Sequence, residues 1–203
     1  MPEPTLKRAW AFFDGQNLYH AAKEAFGYRL PNYDVQKLVL RLCEERNWSL
    51  TATHFYTGIP DAVDNPFWNQ FWSAKLAFMG RHGVRVFSRK LRYRNQTVRI
   101  PNGQKYTFLV GQEKGIDIRI ALDVVRAVHR NECDVALLFS QDQDLSEVAD
   151  EVRLIAHEQR RWIKIASAFP FSPTVHNKRG VNKTDWIPIG RTAYDACPDK
   201  TIF

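Results

Sequence analysis

Short apolar runs along the chain alternate with longer stretches that have a helical repeat. The run AWAFF at residues 9–13 ends at an Asp-Gly turn, and the run VALLF at residues 135–139 is continuous. Runs of this length, rich in aromatic and aliphatic residues, predict strands inside a sheet. On this pattern we predict strands at residues 9–13, 48–56, 84–87, 134–139 and 162–168.

Between these strands the apolar residues recur every three or four positions, which predicts helices. The pattern is clearest where Ile116, Ile120, Val124 and Ala127 mark one side of a helix. Asp34 is a predicted N-cap, and Gly27 is a predicted stop. Helices are predicted at residues 17–26, 35–46, 65–82, 115–131 and 145–160.

Strands that alternate with helices predict an α/β fold with an open parallel sheet flanked by helices. Ligands of such folds bind beyond the carboxyl ends of the strands. Two segments at 90–93 and 107–110 flank the turn-forming residues Asn95, Pro101, Asn102 and Gly103, so a basic β-hairpin insertion is expected at about 88–110. One domain is expected at 1–175, followed by a loop-rich, proline-containing extension at 176–203 that packs on it.

The composition is that of a soluble globular protein, with 203 residues, 44% apolar and 25% charged. The three cysteines are odd in number and form no CxxC pair, which excludes a disulfide framework or a cysteine-based zinc site. No apolar run approaches the roughly 20 residues that a membrane span needs, and no signal peptide is visible. We therefore expect a cytoplasmic protein that does not bind membranes.

The positive charge is concentrated in one part of the chain. Residues 65–112 hold nine basic residues and no acidic residue, whereas residues 113–158 hold five basic and eleven acidic residues. Such a basic stretch is a candidate surface for RNA, although a solvated face that keeps the protein soluble explains it equally well. The candidate nucleic-acid-binding residues are Arg85, Arg89, Lys90, Arg92, Arg94, Arg99 and Lys105 and, in the extension, Lys178, Arg179 and Lys183.

Carboxylates follow two predicted strands at the edge where such folds bind ligands. Asp14 ends the first strand, Asp142 and Asp144 follow a later one, and Asp117 lies in the first turn of a helix. Each of them alone is explained by helix capping or by the helix dipole. Crowded together, they would resist joint ionisation unless a cation such as Mg²⁺ or Mn²⁺ neutralised them. Such a metal can activate water for attack on a phosphodiester.

Several other polar residues accompany these carboxylates. Asn17 and Ser140 can orient a carboxylate or a water molecule, and Lys114 can contact phosphate. Asp123 lies six positions after Asp117, about 120° around the helix, and Arg119 offers it an ion pair. Asp123 is therefore expected to have a supporting or structural role. The histidines lack a zinc-binding spacing, and neither a Walker A nor a GxGxxG motif is present, so no nucleotide cofactor is expected.

Three motifs resemble those of the NYN domain, a branch of the PIN-like nucleases. They are FFDGQNL at 12–18, EKGIDIRIALD at 113–123 and LLFSQDQDL at 137–145. The resemblance implies a Rossmann-like sheet with an acidic site for a divalent metal, and cleavage of RNA in active members. It assigns the main metal carboxylates to Asp14, Asp117 and Asp142, with Asp144 completing the cluster. The serine-glycine-aspartate step of the family is Ser140-Gln141-Asp142 here.

These features predict an endoribonuclease that uses Mg²⁺ or Mn²⁺ to hydrolyse single-stranded RNA. A non-catalytic RNA-binding or regulatory module on the same fold is the main alternative. A phosphatase of the haloacid dehalogenase type is a weaker one, because only 59 residues follow Asp144. The aromatic stretch at 66–78, with Trp68 and Trp72 four positions apart, is either core or the surface of a homodimer.

Overall fold

The computed structural model describes residues 1–100 and 103–199. Its helices and strands alternate along most of the chain. In chain order they are β1 (Lys7–Asp14), α1 (Gly15–Phe26), α2 (Val35–Glu44), β2 (Trp48–Ile59), α3 (Pro66–Arg81), β3 (Val84–Lys90), β4 (Arg92–Arg99), β5 (Lys105–Gln112), α4 (Ile116–His129), β6 (Val135–Phe139), α5 (Ser146–Glu158), β7 (Lys164–Pro170), β8 (Asp185–Ile189) and α6 (Arg191–Asp195). A short 3₁₀ turn, Gln143–Leu145, precedes α5.

Six of the strands form one parallel sheet in the order β3-β2-β1-β6-β7-β8. The two central strands, β1 and β6, are buried along most of their length because helices cover both faces of the sheet. The predicted α/β fold with an open parallel sheet is confirmed. Because all six strands run in the same direction, their carboxyl ends meet at one edge.

Two apolar cores lie on the two faces of the sheet, and neighbouring residues of β1 belong to different cores. Phe13 packs with α1, α2 and α3, and its ring stacks on Phe139 with 3.8 Å between centroids. Phe12 packs with α4 and α5 on the opposite face. This alternation follows from the two-residue period of a strand. It leaves the end of β1 between two well-packed layers.

The predicted helix ends are confirmed at the positions that have a clear local cause. Gly27 ends α1 with φ of 80°, a left-handed conformation that favours glycine. The Asp34 side chain accepts a hydrogen bond from the Lys37 backbone N–H at 3.0 Å and caps α2. Among the described residues, no helix is long and apolar enough to cross a membrane.

The prediction that residues 162–168 form the last strand is wrong. A further strand, β8, pairs in parallel with β7 and forms one edge of the sheet. Pro188 lies inside β8 and argues against a strand in sequence analysis, but proline is tolerated in an edge strand whose N–H faces no partner. The chain between β7 and β8 therefore returns to the amino edge of the sheet as a loop.

The predicted hairpin insertion is confirmed as an antiparallel pair, β4 and β5, separate from the main sheet. We call this pair the arm. It leaves the carboxyl end of β3, and at its base the Asp61 N–H donates to the Tyr93 hydroxyl oxygen at 3.0 Å. The predicted turn residues Pro101 and Asn102 lie outside the described residues. The arm thus begins and ends at the edge where the strands present their carboxyl ends.

Candidate active site at the carboxyl edge of the sheet

Asp14 is both the last residue of β1 and the N-cap of α1. Its Oδ1 accepts a hydrogen bond from the Asn17 backbone N–H at 3.0 Å, and its Oδ2 accepts one from the Ser140 hydroxyl at 3.3 Å. The residue is only 7% exposed. Gly15 permits this close packing, since a Cβ there would lie 2.6 Å from the ring of Phe55. The sheet and the helix therefore hold the Asp14 carboxylate in a fixed, buried position.

Hydrogen bonds join the first and third motifs across this edge. The Gln141 backbone N–H donates to Asn17 Oδ1 at 2.8 Å, and the Asp142 N–H donates to Ser140 Oγ at 3.1 Å. Asp142 Oδ1 in turn accepts from the Asp144 N–H at 3.0 Å and caps the 3₁₀ turn. Asn17 and Ser140 thus hold the loop on which Asp142 lies.

A cavity of about 410 Å³ opens where these loops meet the first turn of α4. Asp14, Asp117 and Asp142, the three main candidates, all line it, together with Asn17 and Lys114. Asp144 is exposed and lies outside the lining. The structure therefore brings three of the four predicted carboxylates into one cavity and places the fourth beside it.

Glu113 also lines the cavity, although sequence analysis did not single it out. The carboxyl group accepts a hydrogen bond from the Gly58 backbone N–H, while its other oxygen, Oε1, is buried without a hydrogen-bond partner among the described residues. The backbone at Gly58 is closely packed here, because a Cβ there would lie 2.4 Å from the Leu91 side chain and 3.4 Å from the Glu113 carboxyl carbon. The sequence gives only a weak indication that Glu113 belongs to the site. Glu113 follows β5 directly, but β5 belongs to the insertion rather than to the predicted sheet.

The cavity has more negative charge than its surroundings compensate. Burial, together with the charges of Asp142 and Asp117, raises the pKa of Asp14 to about 6. Burial, followed by the charges of Asp14 and Asp117, raises the pKa of Glu113 to about 8. Among the residues that the structure describes, Lys114 is the one lysine or arginine in the lining, and it is exposed to solvent. A cation that entered this cavity would favour the ionised form of both acids.

The donor set suits a hydrated divalent cation. The acidic side chains of the lining offer carboxylate oxygens, which Mg²⁺ and Mn²⁺ prefer, and Glu113 Oε1 is a buried acceptor without a partner among the described residues. In that same part of the chain, no three His, Cys, Asp or Glu side chains are grouped closely enough to enclose a metal. Mg²⁺ usually keeps several water molecules and takes one or two carboxylates, so the two observations are compatible.

Asp123 points away from this cavity. Its Oδ2 accepts hydrogen bonds from the Tyr56 hydroxyl at 3.0 Å and from Arg119 Nε at 2.8 Å, and its Oδ1 accepts one from Arg126 at 3.3 Å. The ion pair with Arg119 that the spacing predicts is present. These three donors account for the carboxylate without a metal.

The basic candidates fall into groups of different accessibility. Arg92, Arg94, Arg99 and Lys105 are exposed or partly exposed on the arm, and an Arg89 nitrogen is 3.4 Å from the Lys114 carbonyl at the rim of the cavity. Arg85 lies near the amino end of β3, away from the arm. By contrast, Lys90 is 3.5 Å from Asp61, and Lys183 pairs with Asp150 and Glu147.

The loop that carries Lys178 and Arg179 is tied to the third motif by glutamine side chains. Gln141 Nε2 donates to the Arg179 carbonyl at 2.7 Å and to the Asn177 carbonyl at 3.3 Å. Gln143 Nε2 donates to the Gly180 carbonyl at 3.0 Å. Gln141 therefore holds two exposed cations near the carboxylates, a role that its sequence position alone did not indicate.

Comparison with known proteins agrees with this arrangement. The family model described as the NYN domain matches residues 8–158, which include all three motifs and the lining of the cavity. The chain belongs to the NYN domain family. NYN domains are part of the PIN-like nuclease superfamily, so the fold is that of a hydrolase. The search of curated proteins found no significant match.

Solved structures support the fold and leave the activity open. A protein of unknown function, VPA0982 from Vibrio parahaemolyticus RIMD 2210633, matches with 18% identity and a TM-score of 0.55, covering 93% of this chain and 96% of its own. Ribokinase from Giardia lamblia matches with 10% identity and a TM-score of 0.36, covering 67% of this chain and 40% of its own. The second match is too distant to inform the fold or the function.

Proposed function

We propose that this NYN domain protein is an endoribonuclease that hydrolyses single-stranded RNA with the help of Mg²⁺ or Mn²⁺. The observation that carries the proposal is the shared cavity, in which Asp14, Glu113, Asp117 and Asp142 meet. Among the described residues, the basic side chains of its lining are the exposed Lys114 and His20. Burying several carboxylates together lowers the stability of the folded protein. An arrangement of this kind is retained where a cation and a phosphate are to be bound.

Asp14, Asp117 and Asp142 would hold the metal, and Glu113 adds a fourth carboxylate. A bound divalent ion supplies charge to stabilise the phosphate and acidifies a water molecule that attacks it. The chain itself fixes the geometry, since the hydrogen bonds from Asn17 and Ser140 lock the Asp14 carboxylate. Lys114, which is exposed at the rim, would contact a phosphate oxygen of the substrate.

The arm supports single-stranded RNA as the substrate. Tyr106 and Phe108 are 62% and 38% exposed, and their rings stack with 5.9 Å between centroids. The strand register places Arg94 and Gln96 opposite Val110 and Phe108, on the same face of the arm. Exposed aromatic rings next to cations bind unpaired bases and their phosphates.

A non-catalytic RNA-binding module is the second candidate. The observation that favours it is that, within the described part of the chain, no three acidic, histidine or cysteine side chains are arranged ready to enclose a metal. Such a module would use the same arm and the same rim cations, but it would leave the RNA intact.

A cleavage assay on labelled single-stranded RNA tests the proposal. Wild type is incubated with Mg²⁺, with Mn²⁺ or with EDTA, beside Asp142→Asn and the control Asp185→Asn at the amino end of β8. We expect metal-dependent cleavage that falls more than about 100-fold in Asp142→Asn, beyond the usual cost of losing an outer partner of a metal site. The control is expected to stay near wild type. RNA that is bound but uncut with every metal would overturn the nuclease proposal and favour the module.

A further inference from the structure

A second cavity, of about 300 Å³, lies between α4 and the edge strand β3. On this face of the sheet α4 packs over β1 and β2, and β3 remains partly open at the edge. Arg85 and Phe87 line it from β3, while Arg119 and Arg126 line it from α4 and Arg130 from just beyond that helix. We call this cavity the α4 groove.

The α4 groove has an excess of positive charge. Four arginines line it, against the two acidic residues Asp123 and Glu132. Asp123 is shared by Arg119 and Arg126, at 2.8 and 3.3 Å. Arg85 and Arg130 have no acidic partner within 4.0 Å in the described part of the chain. Residues 113–158 are acidic as a stretch, but Arg119, Arg126 and Arg130 are spaced so that they share one side of α4. The fold adds Arg85 to them from β3.

Aromatic rings form the floor of the α4 groove and hold the guanidinium groups in place. Arg85 lies over Trp10 at 5.2 Å, and Arg119 lies over Phe87 at 5.0 Å. Guanidinium groups stacked on rings keep their charge and are pre-organised, so less side-chain entropy is lost when they bind an anion. The floor is thus apolar and the wall is cationic, which suits a sugar–phosphate chain.

The α4 groove is continuous with the candidate active site. The Arg89 guanidinium is 5.4 Å from the ring of Phe87, which Arg119 also contacts, and Arg89 reaches the Lys114 carbonyl at the rim of the carboxylate cavity. Helix α4 begins at that cavity, so its axis leads away from the carboxylates. The 13 residue steps from Asp117 to Arg130 rise by about 20 Å. This length matches about six stacked nucleotides at about 3.4 Å each.

We propose that the α4 groove binds the phosphate backbone of the RNA strand on one side of the bond that is cut. The proposal rests on the proposed function and extends it from the reacting phosphate to the flanking nucleotides. Charge complementarity selects a polyanion, and a two-fold contact through this same face would set arginines against arginines. Continuity with the carboxylate cavity selects a strand that passes through both.

Equilibrium binding of a fluorescently labelled single-stranded RNA tests this site without relying on cleavage. The double variant Arg126→Gln/Arg130→Gln is made in the Asp142→Asn protein and measured in EDTA from 50 to 300 mM salt. Loss of two phosphate contacts is expected to reduce the slope of log K against log salt by about 1.4 and to weaken binding about 20-fold at 0.1 M salt. Both arginines are exposed, so folding is expected to survive, and a thermal melt checks it.

The matched control is Lys37→Gln/Arg41→Gln, which removes the same charge from α2 on the opposite face of the sheet. Lys37 and Arg41 pair with Asp34 and Glu45, much as Arg126 pairs with Asp123. An equal loss of affinity in both double variants, or in neither, would overturn the α4 groove as a site. If binding depends on the groove but wild type never cleaves RNA with any metal, the proposed nuclease fails and the groove stands. If the parent protein binds no RNA at all, the α4 groove fails as a site, and the cleavage assay with Mg²⁺ or Mn²⁺ alone decides on the nuclease.

Discussion

Two aspartates at opposite ends of the central strands show how differently this fold treats a carboxylate. Asp134 lies just before β6 at the amino edge, and Asp14 ends β1 at the carboxyl edge. Asp134 accepts hydrogen bonds from Arg8 at 2.9 Å through both oxygens and lies 3.5 Å from Arg161. Asp14 receives hydrogen bonds only from the neutral Asn17 N–H and Ser140 hydroxyl, within the described residues.

The two pKa values move in opposite directions for this reason. Burial alone would raise the pKa of Asp134, but the hydrogen bonds and the charge of Arg8 lower it below its usual value. Burial raises the pKa of Asp14 to about 6, and no cation of the described part of the chain offsets it. A compensated carboxylate stabilises the fold, whereas an uncompensated one costs stability and is left ready for a ligand.

The largest expected effect is a gain of stability in Asp14→Asn. The raised pKa means that wild type loses stability as pH rises from about 4 to about 6, because the buried acid must then ionise. A shift of about two units corresponds to about 3 kcal/mol. Urea unfolding in EDTA at pH 7.5 is expected to show Asp14→Asn more stable than wild type by up to that amount. An asparagine can still accept from the Asn17 N–H and donate to Ser140.

The control for this prediction is the same comparison at pH 3.5. Asp14 is protonated there in the folded protein and largely protonated in the unfolded one, so the two proteins are expected to have nearly the same free energy of unfolding. A wild-type protein that is the more stable of the two at pH 7.5 would contradict the uncompensated character of Asp14.

The same change of aspartate to asparagine at Asp134, at the amino edge of the sheet, is expected to lower the stability. Asp134→Asn removes the charge that Arg8 and Arg161 share, and charged hydrogen bonds contribute about 2 kcal/mol. Because the pKa of Asp134 is lowered in the folded protein, its ionised carboxylate stabilises the fold above about pH 4. This stabilisation is lost as the pH falls further. We expect a free energy of unfolding about 2 kcal/mol lower at pH 7.5, measured by urea unfolding, with RNA cleavage unchanged. Loss of cleavage in the fully folded variant would break the comparison.

Much of this arrangement could be predicted from the sequence because it depends on local rules. Asp14 follows a short apolar run directly, and a parallel sheet gathers such strand ends at one edge. The Arg119–Asp123 ion pair follows from a spacing of four within a helix. Each of these needs only the period of a strand or a helix and the direction of the chain.

What the sequence did not predict depends on contacts between distant segments. Glu113 joins the cavity because the arm returns to the sheet beside Gly58, and no local period encodes that return. Strand β8 was not predicted because Pro188 argues against a strand until its position at the edge of the sheet is known. The α4 groove combines arginines of an acidic stretch with Arg85 of a basic one, so regional charge counts hide it.

The smallest expected effect concerns how basic side chains are held near the carboxylates at the carboxyl edge. Arg8 contacts Asp134 directly, whereas Lys178 and Arg179 are held near the carboxylates only through the backbone of their loop, which Gln141 binds. Gln141→Ala removes two neutral hydrogen bonds, about 1 kcal/mol, and should raise the KM for RNA about 5-fold while kcat changes less than twofold.

Gln159→Ala is the matched control, since its amide binds the His129 carbonyl far from the loop. A drop in kcat with KM unchanged would mean that Gln141 acts on the chemistry rather than on the position of the loop. An unchanged KM and kcat would show that the cations of this loop do not take part in binding, and the rim would then rely on Lys114 and the arm.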